Sequence, residues 1–259
     1  MNFENEVINF FKNIYGVDLK TQSDIILDNM LFPNYIVQQI LNVDKKGYTS
    51  FEYCRIINKI FGFDYINSKL SYYENNKIKI ESDDIVFDCG ANTGIFSLYS
   101  AYKAKKVYAF EPMTLIRHYL KNTQKYNNKI IIIPCGVGDK VEKRYFNQAD
   151  NPGASRENQF EMPWYHQILY KELATVFSID AFVEKTNIVP TFIKMDIENG
   201  EFLALKGAIK TLNKYRPKCS ISIHEENLKN IEYIKSLFPA GYKFYIKSEK
   251  FYDPILLGE

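Results

Sequence analysis

The chain has 259 residues, 46% of them hydrophobic, with 33 basic against 31 acidic side chains for a net charge of +2. That content supports a real core and fits one α/β domain with an extension, or two small domains. A near-neutral balance, with no Lys/Arg cluster interleaved with aromatics, argues against a nucleic-acid partner.

The first residues, Met1 to Glu6, are acidic and lack the basic start of a signal peptide. No apolar run reaches the roughly 18 residues of a bilayer span, so a cytoplasmic protein without a membrane span is expected. Cys54, Cys89, Cys135 and Cys219 are widely separated and contain no C-x-x-C pair, which predicts buried thiols rather than a zinc knuckle or a disulfide framework.

Residues 1–80 carry three helical stripes: Val7, Phe10, Phe11 and Ile14; Ile36, Ile40 and Val43; and Phe51, Ile56, Ile57, Ile60 and Phe61. Breaks at Gly16-Val17-Asp18, Phe32-Pro33-Asn34 and Lys46-Gly47 separate them, predicting a helical N-terminal extension. Its apolar stripes need a partner, either the main domain or, in a homo-oligomer, a second copy of the chain.

From Asp83 onward, strand-length apolar runs alternate with helical patterns, which predicts βαβ units and a doubly wound, mostly parallel α/β sheet over 81–259. The runs are Ile85–Phe87, Val107–Phe110, Ile130–Ile133, Phe192–Met195 and Ser220–Ile223. Two more, Tyr242–Ile246 and Ile255–Leu257, suit an antiparallel pair at one edge. Ile95, Leu98, Tyr99 and Tyr102 mark a helix after the first run, and Phe202, Leu205, Ile209 and Leu212 one after the fourth. Between Gly138-Asp139 and Ser178 the alternation lapses for about 40 residues, far beyond the usual connection. This stretch holds the Asn151-Pro152-Gly153 turn and Met162-Pro163-Trp164-Tyr165-His166, with the only tryptophan, and reads as a substrate-side lid or a surface insertion.

Open α/β sheets bind ligands beyond the carboxyl ends of their strands. The first run ends in Asp88-Cys89-Gly90-Ala91-Asn92-Thr93-Gly94, where the glycines let backbone approach a nucleotide-like cofactor. Asn92 stands where the dinucleotide fingerprint needs its second glycine, so a ligand without a pyrophosphate fits better than NAD. The second run ends in Glu111-Pro112, a carboxylate suited to a ribose diol, and the third in Pro134-Cys135-Gly136. Asp196, Glu198 and Glu201 surround the Asn199-Gly200 turn after the fourth, with Glu201 placed to cap a helix. The fifth run ends in His224-Glu225-Glu226, and His224 can take a proton near neutral pH. A divalent metal on Asp196, Glu198 and His224 is chemically conceivable, but one histidine and no tight spacing leave it unsupported, and no metal site is assigned.

These segments, with Gly136-Val137-Gly138-Asp139, Ser178-Ile179-Asp180-Ala181-Phe182 and Leu205-Lys206-Gly207-Ala208, resemble the FkbM-type methyltransferases from about Asp84 to His224 and beyond. The resemblance implies a class I, Rossmann-like seven-stranded sheet with one antiparallel strand, using S-adenosylmethionine (SAM). By position, Asp88, Gly90, Ala91, Asn92, Thr93 and Gly94 would cradle the methionine portion and ribose, Glu111 and Pro112 would meet the ribose, and Cys135, Gly136 and Val137 would lie near adenine. Asp196 borders the same site. Asn199 departs from the family's more usual glycine but tolerates the same left-handed backbone.

The implied reaction is methylation of a hydroxyl, with an amine as the variant, on a sugar, a glycan-linked group or a small secondary metabolite. His224 or Asp196 is the expected base, with Glu198 beside them. An NAD-dependent oxidoreductase and a non-catalytic SAM-fold scaffold are the alternatives.

Overall fold

The computed structural model divides into two compact units, Met1–Leu70 and Ser71–Glu259. It describes residues 24–27, 30–33, 73–149, 154–162, 166–224, 231–248 and 254–259. In the first unit, β1 (Asp24–Leu27) and β2 (Met30–Pro33) pair antiparallel with Leu27 opposite Met30. The described part of the extension is thus a strand pair, and its short runs carry the β-branched Ile25 and Ile26 that suit a strand. The three expected helical stripes lie outside the described residues.

The second unit starts ten residues before the expected boundary. Its main sheet has seven strands in the order β12-β13-β11-β10-β3-β4-β5. These are β3 (Ile85–Cys89), β4 (Lys106–Phe110), β5 (Ile130–Ile133), β10 (Phe192–Met195), β11 (Lys218–Ser222), β12 (Phe244–Lys247) and β13 (Ile255–Gly258). From β11 to β5 every pairing is parallel, while β13 runs antiparallel to both β11 and β12. The expected Rossmann-like sheet and its antiparallel edge pair are both present.

The core explains why the runs are so apolar: a central parallel strand is covered on both faces. Phe87, Phe110 and Phe192 are wholly or almost wholly buried. Phe87 and Phe110 meet Phe182 of α3 (Ile179–Thr186) at ring-centroid distances of 5.4 and 5.1 Å. Helix α1 (Ile95–Lys103) buries Leu98 and Tyr99 as expected, and Phe96, Ser97, Ser100 and Ala101 besides. The helix expected after the fourth strand is broken into α4 (Glu201–Lys206) and α5 (Ile209–Tyr215). At Gly207, between them, a Cβ would lie 2.1 Å from the Gly138 carbonyl oxygen. The break turns Ile209 outward to 40% exposure, while Leu205 and Leu212 stay buried.

The long insertion is built mainly as sheet. Strands β7 (Glu142–Ala149) and β9 (Ile168–Phe177) form an antiparallel pair, extended by β6 (Gly136–Val137) on β9 and β8 (Arg156–Glu157) on β7. The strand pattern is hidden in the sequence because β7 opens on Glu142-Lys143-Arg144 and β9 exposes the apolar Ile168, Leu169, Tyr170 and Leu173 as well as Lys171. Ala174 and Val176 of β9 and Phe146 of β7 pack with Met113 and Ile116 in a second small core. Helix α2 (Thr114–Gln124), which contains Ile116, thereby ties the insertion to the end of β4. Asn151-Pro152-Gly153, Pro163-Trp164-Tyr165 and Glu225-Glu226 lie outside the described residues.

Candidate functional site

Chain connections leave the neighbouring strands β3 and β10 in opposite directions across the sheet, and such a switch point opens a crevice at the strands' carboxyl ends. Here the crevice is a cleft of about 610 Å³, part of it open to solvent. It is lined by Gly90 and Asn92 from the turn after β3, Glu111 and Pro112 after β4, Gly136 and Val137, and Asp196 and Glu198 after β10. Phe146, Ser155, Arg156 and Glu157 of the insertion form another wall.

The glycine turn is held by the protein itself. The Gly90 and Ala91 N–H groups both donate to the Phe110 carbonyl. Gly90 has φ +78°, and a Cβ there would lie 2.0 Å from the Asp196 backbone oxygen. At Gly94, φ +91°, a Cβ would strike Leu120 at 2.5 Å. These glycines therefore permit close protein packing as well as any approach to a ligand. Asn92 also has a positive φ, 51°, and its side chain accepts the Thr93 N–H at 2.7 Å.

Asp88 lies under this turn, fully buried, accepting from the Ser97 hydroxyl at 2.6 Å and paired with Lys194 at 3.1 Å. The Lys194 ammonium donates to the Gly90 carbonyl at 3.0 Å. Burial alone would lower the Lys194 pKa, but Asp88 and Asp196 outweigh it and hold the group charged. Asp88 and Lys194 thus brace the cleft from below, and Ala91, Thr93 and Gly94 are likewise buried behind its lining.

Glu111 is 5% exposed, and its two oxygens accept the Asn92 and Met113 N–H groups at 3.0 and 2.9 Å. Burial pushes its carboxyl up to about 7, against the opposing pull of those two bonds. Cys135 sits in the core with its thiol pushed up to about 12 by burial, while its neighbours Gly136 and Val137 reach the cleft. Cys89 and Cys219 are also free and buried.

The other half of the cleft is ionic. Asp196 follows β10, its N–H donating to the Cys89 carbonyl, and its Oδ2 accepts from the Tyr73 hydroxyl at 2.6 Å. His224 stands after β11 with Nε2 at 3.6 Å from Asp196 and 3.8 Å from Glu198, and Nδ1 at 3.4 Å from Glu201. Burial opposes its charge, but the three carboxylates, Glu201 foremost, push the imidazole up to about 12. The surrounding carboxylates thus favour its charged form, in which both ring nitrogens donate. Glu201 opens α4 as expected, yet it is fully buried and accepts the Ile197 N–H at 2.8 Å, so it anchors the turn as well as facing the helix dipole.

Glu198 and Asn199 hold left-handed φ values of 55° and 77°, and Arg156 of β8 clasps Glu198. Arg156 also donates to the Ala154 and Glu161 carbonyls, tying the insertion to the turn after β10. The sequence reading missed Arg156 and Tyr73. Arg156 is a lone arginine in a stretch read as a lid, and Tyr73 was assigned to the extension.

Asp196, Glu201 and His224 could each offer an atom to a cation, all within 4.8 Å of one another. In the metal-free protein these carboxylates face His224, and the Glu201 Oε1 also accepts the Ile197 N–H. The positive charge this acidic cluster needs is supplied by His224 and Arg156.

The architecture and the cleft at its switch point define a Rossmann-like α/β domain. The model of the FkbM methyltransferase domain matches residues 88–244, and the chain belongs to that family. It is 29% identical over 157 residues to the uncharacterized protein MJ1452 of Methanocaldococcus jannaschii, covering 59% of this chain and 52% of that protein. A 77-residue stretch is 36% identical to the AMB antimetabolite synthetase AmbE of Pseudomonas aeruginosa, 29% of this chain and 4% of that one. The matches thus span about half of the first relative and a small part of the second. Among solved structures, the methyltransferase FkbM of Methylobacillus flagellatus KT superposes with a TM-score of 0.54 at 20% identity, over 87% of this chain and 59% of that one, a likeness of fold.

Proposed function

We propose that the protein is a SAM-dependent methyltransferase acting on a hydroxyl of a sugar, a glycan-linked group or a small metabolite. The observation that carries the reading is one cleft with two differently prepared halves. Glu111, desolvated and fixed by two backbone donors, suits the ribose hydroxyls of SAM. Asp196, a few residues from His224 in space and exposed to the cleft, suits an acceptor. SAM supplies an already activated methyl, so the protein's work is alignment and removal of one proton.

Bound SAM would supply the methyl that the acceptor oxygen takes, its sulfur keeping the electron pair of the broken bond, and the Asp196 carboxylate would receive the acceptor proton. His224, being protonated, orients Asp196 and Glu198 rather than taking the proton. The wall of Phe146, Ser155 and Arg156 limits water and shapes the acceptor side. Gly136 and Val137 border the side where the adenine would lie, and Gly90 and Asn92 lie where the amino-acid end would pass. Among the described residues no helix is long and apolar enough to cross a membrane, which accords with an acceptor that reaches the cleft from solvent.

The test is transfer of a tritiated methyl from SAM to a panel of methyl glycosides, polyols and matched amines, with wild type and Asp196→Asn side by side. Label on hydroxylated acceptors, lost in Asp196→Asn, is expected. Label on amines alone would replace the O-methyl reading, and label undiminished in Asp196→Asn would remove Asp196 from the chemistry.

A further inference from the structure

Tyr73 precedes the segment matched by the family model, yet its hydroxyl reaches the cleft carboxylate Asp196, 123 positions later, at 2.6 Å. Its ring is clamped edge-on against Phe96 at a centroid distance of 5.1 Å, and the Lys194 ammonium lies 5.4 Å from its centroid. The phenol is therefore fixed by two groups that also frame the glycine turn. The Asp196 side chain is 30% exposed at a strand end, where a short carboxylate has several staggered orientations open to it.

We propose that Tyr73 is a positioning residue for methyl transfer, its phenol holding Asp196 in the orientation that faces the acceptor. The proposal rests on Asp196 being the proton acceptor. Tyr73 donates to Oδ2, and Oδ1 is the oxygen on the His224 side. The charged groups facing Asp196 are His224 from the end of β11, Lys194 from β10, and Glu198 and Glu201 from the turn and helix that follow. His224 stands at 3.6 Å and is shared among three carboxylates, so the phenol at 2.6 Å makes the shorter contact of the two.

The experiment uses the full chain labelled at aspartate carboxyl carbons, with the Asp196 resonance assigned by its loss in Asp196→Asn. Tyr73→Phe keeps the ring and its packing and removes only the hydroxyl. A donor to a charged carboxylate favours the ionised form, so its loss should raise the Asp196 titration midpoint by about one pH unit. SAM affinity by calorimetry should stay within about twofold. On an acceptor that wild type methylates, kcat should fall about tenfold and its acid limb move up with the midpoint.

An unmoved midpoint in Tyr73→Phe beside an inactive Asp196→Asn would overturn the Tyr73 proposal alone. Wild-type turnover in Asp196→Asn would remove the base assignment, and the role of Tyr73 with it. A thermal melt of Tyr73→Phe within a few degrees of wild type is expected. Collapse of both the melt and SAM binding would assign Tyr73 to the framework and overturn the proposal.

Discussion

Replacing Glu111 with glutamine tests how the cleft balances its own stability against ligand binding. The Glu111 carboxyl is held near 7 by burial, against an ordinary value of 4.5, and each unit of that gap is about 1.4 kcal/mol. Because the folded pKa lies above the unfolded one, the native state binds the extra proton between the two values, and stability falls as pH rises through them. The cost of keeping Glu111 ionised above pH 7 is on the order of 3 kcal/mol in the ligand-free protein.

Glutamine removes that titration, but only its carbonyl oxygen accepts, so the Asn92 or the Met113 N–H faces an NH₂ donor, and losing one buried partner costs about 1–3 kcal/mol. The two terms nearly cancel in absolute stability, so the informative quantity is the pH slope of the difference. Urea unfolding of both proteins from pH 4.5 to 8 should show wild type losing about 3 kcal/mol relative to Glu111→Gln. SAM affinity should meanwhile drop sharply in the variant. Parallel stability curves across that range would refute the argument that Glu111 is a desolvated carboxylate.

Other changes separate framework from chemistry. Lys194→Met leaves Asp88 charged and buried, and should cost about 3–5 kcal/mol by thermal or chemical denaturation, whereas a loss under 1 kcal/mol would deny the brace under the glycine turn. Gly207→Ala places a Cβ 2.1 Å from a backbone oxygen and should lower the melting temperature more than Gly241→Ala, which meets only an arginine tip at 3.6 Å and carries just the strain of its φ of +87°. Equal melting shifts would sink that ranking. The His224 imidazole is raised from 6.5 to about 12, so its stabilisation is full below pH 6.5 and is lost as pH rises toward 12. The stability advantage of wild type over His224→Gln should therefore shrink between pH 6.5 and 9, and a constant difference would mean that His224 is neutral in the fold.

The sheet was legible because its central strands are covered on both faces, leaving runs such as Ile85–Phe87 and Phe192–Met195 nearly free of polar residues. The insertion was not, because β7 opens on Glu142-Lys143-Arg144 and β9 leaves Ile168, Leu169, Tyr170 and Leu173 exposed, so neither shows a clean apolar-in, polar-out alternation. Asp88, Glu111, Asp196 and His224 could be picked out as residues following apolar runs. Their separate environments could not, since burial and partners decide that Asp88 is a brace, Glu111 a raised carboxyl and His224 a fixed cation. Arg156 and Tyr73 reach the site from segments with no periodic signal that points to it. The Gly207 break likewise depends on the approach of the Gly138 carbonyl, a contact between distant residues.

The central claim is that the cleft between β3, β4 and β10 is built for SAM. Calorimetric titration of the purified chain with SAM, its demethylated product and NADH addresses it most directly. Binding of the first two at micromolar concentration, weakened in Glu111→Gln, and none of NADH is the expected result. Binding of NADH alone, or no binding of SAM and its product, would contradict the account.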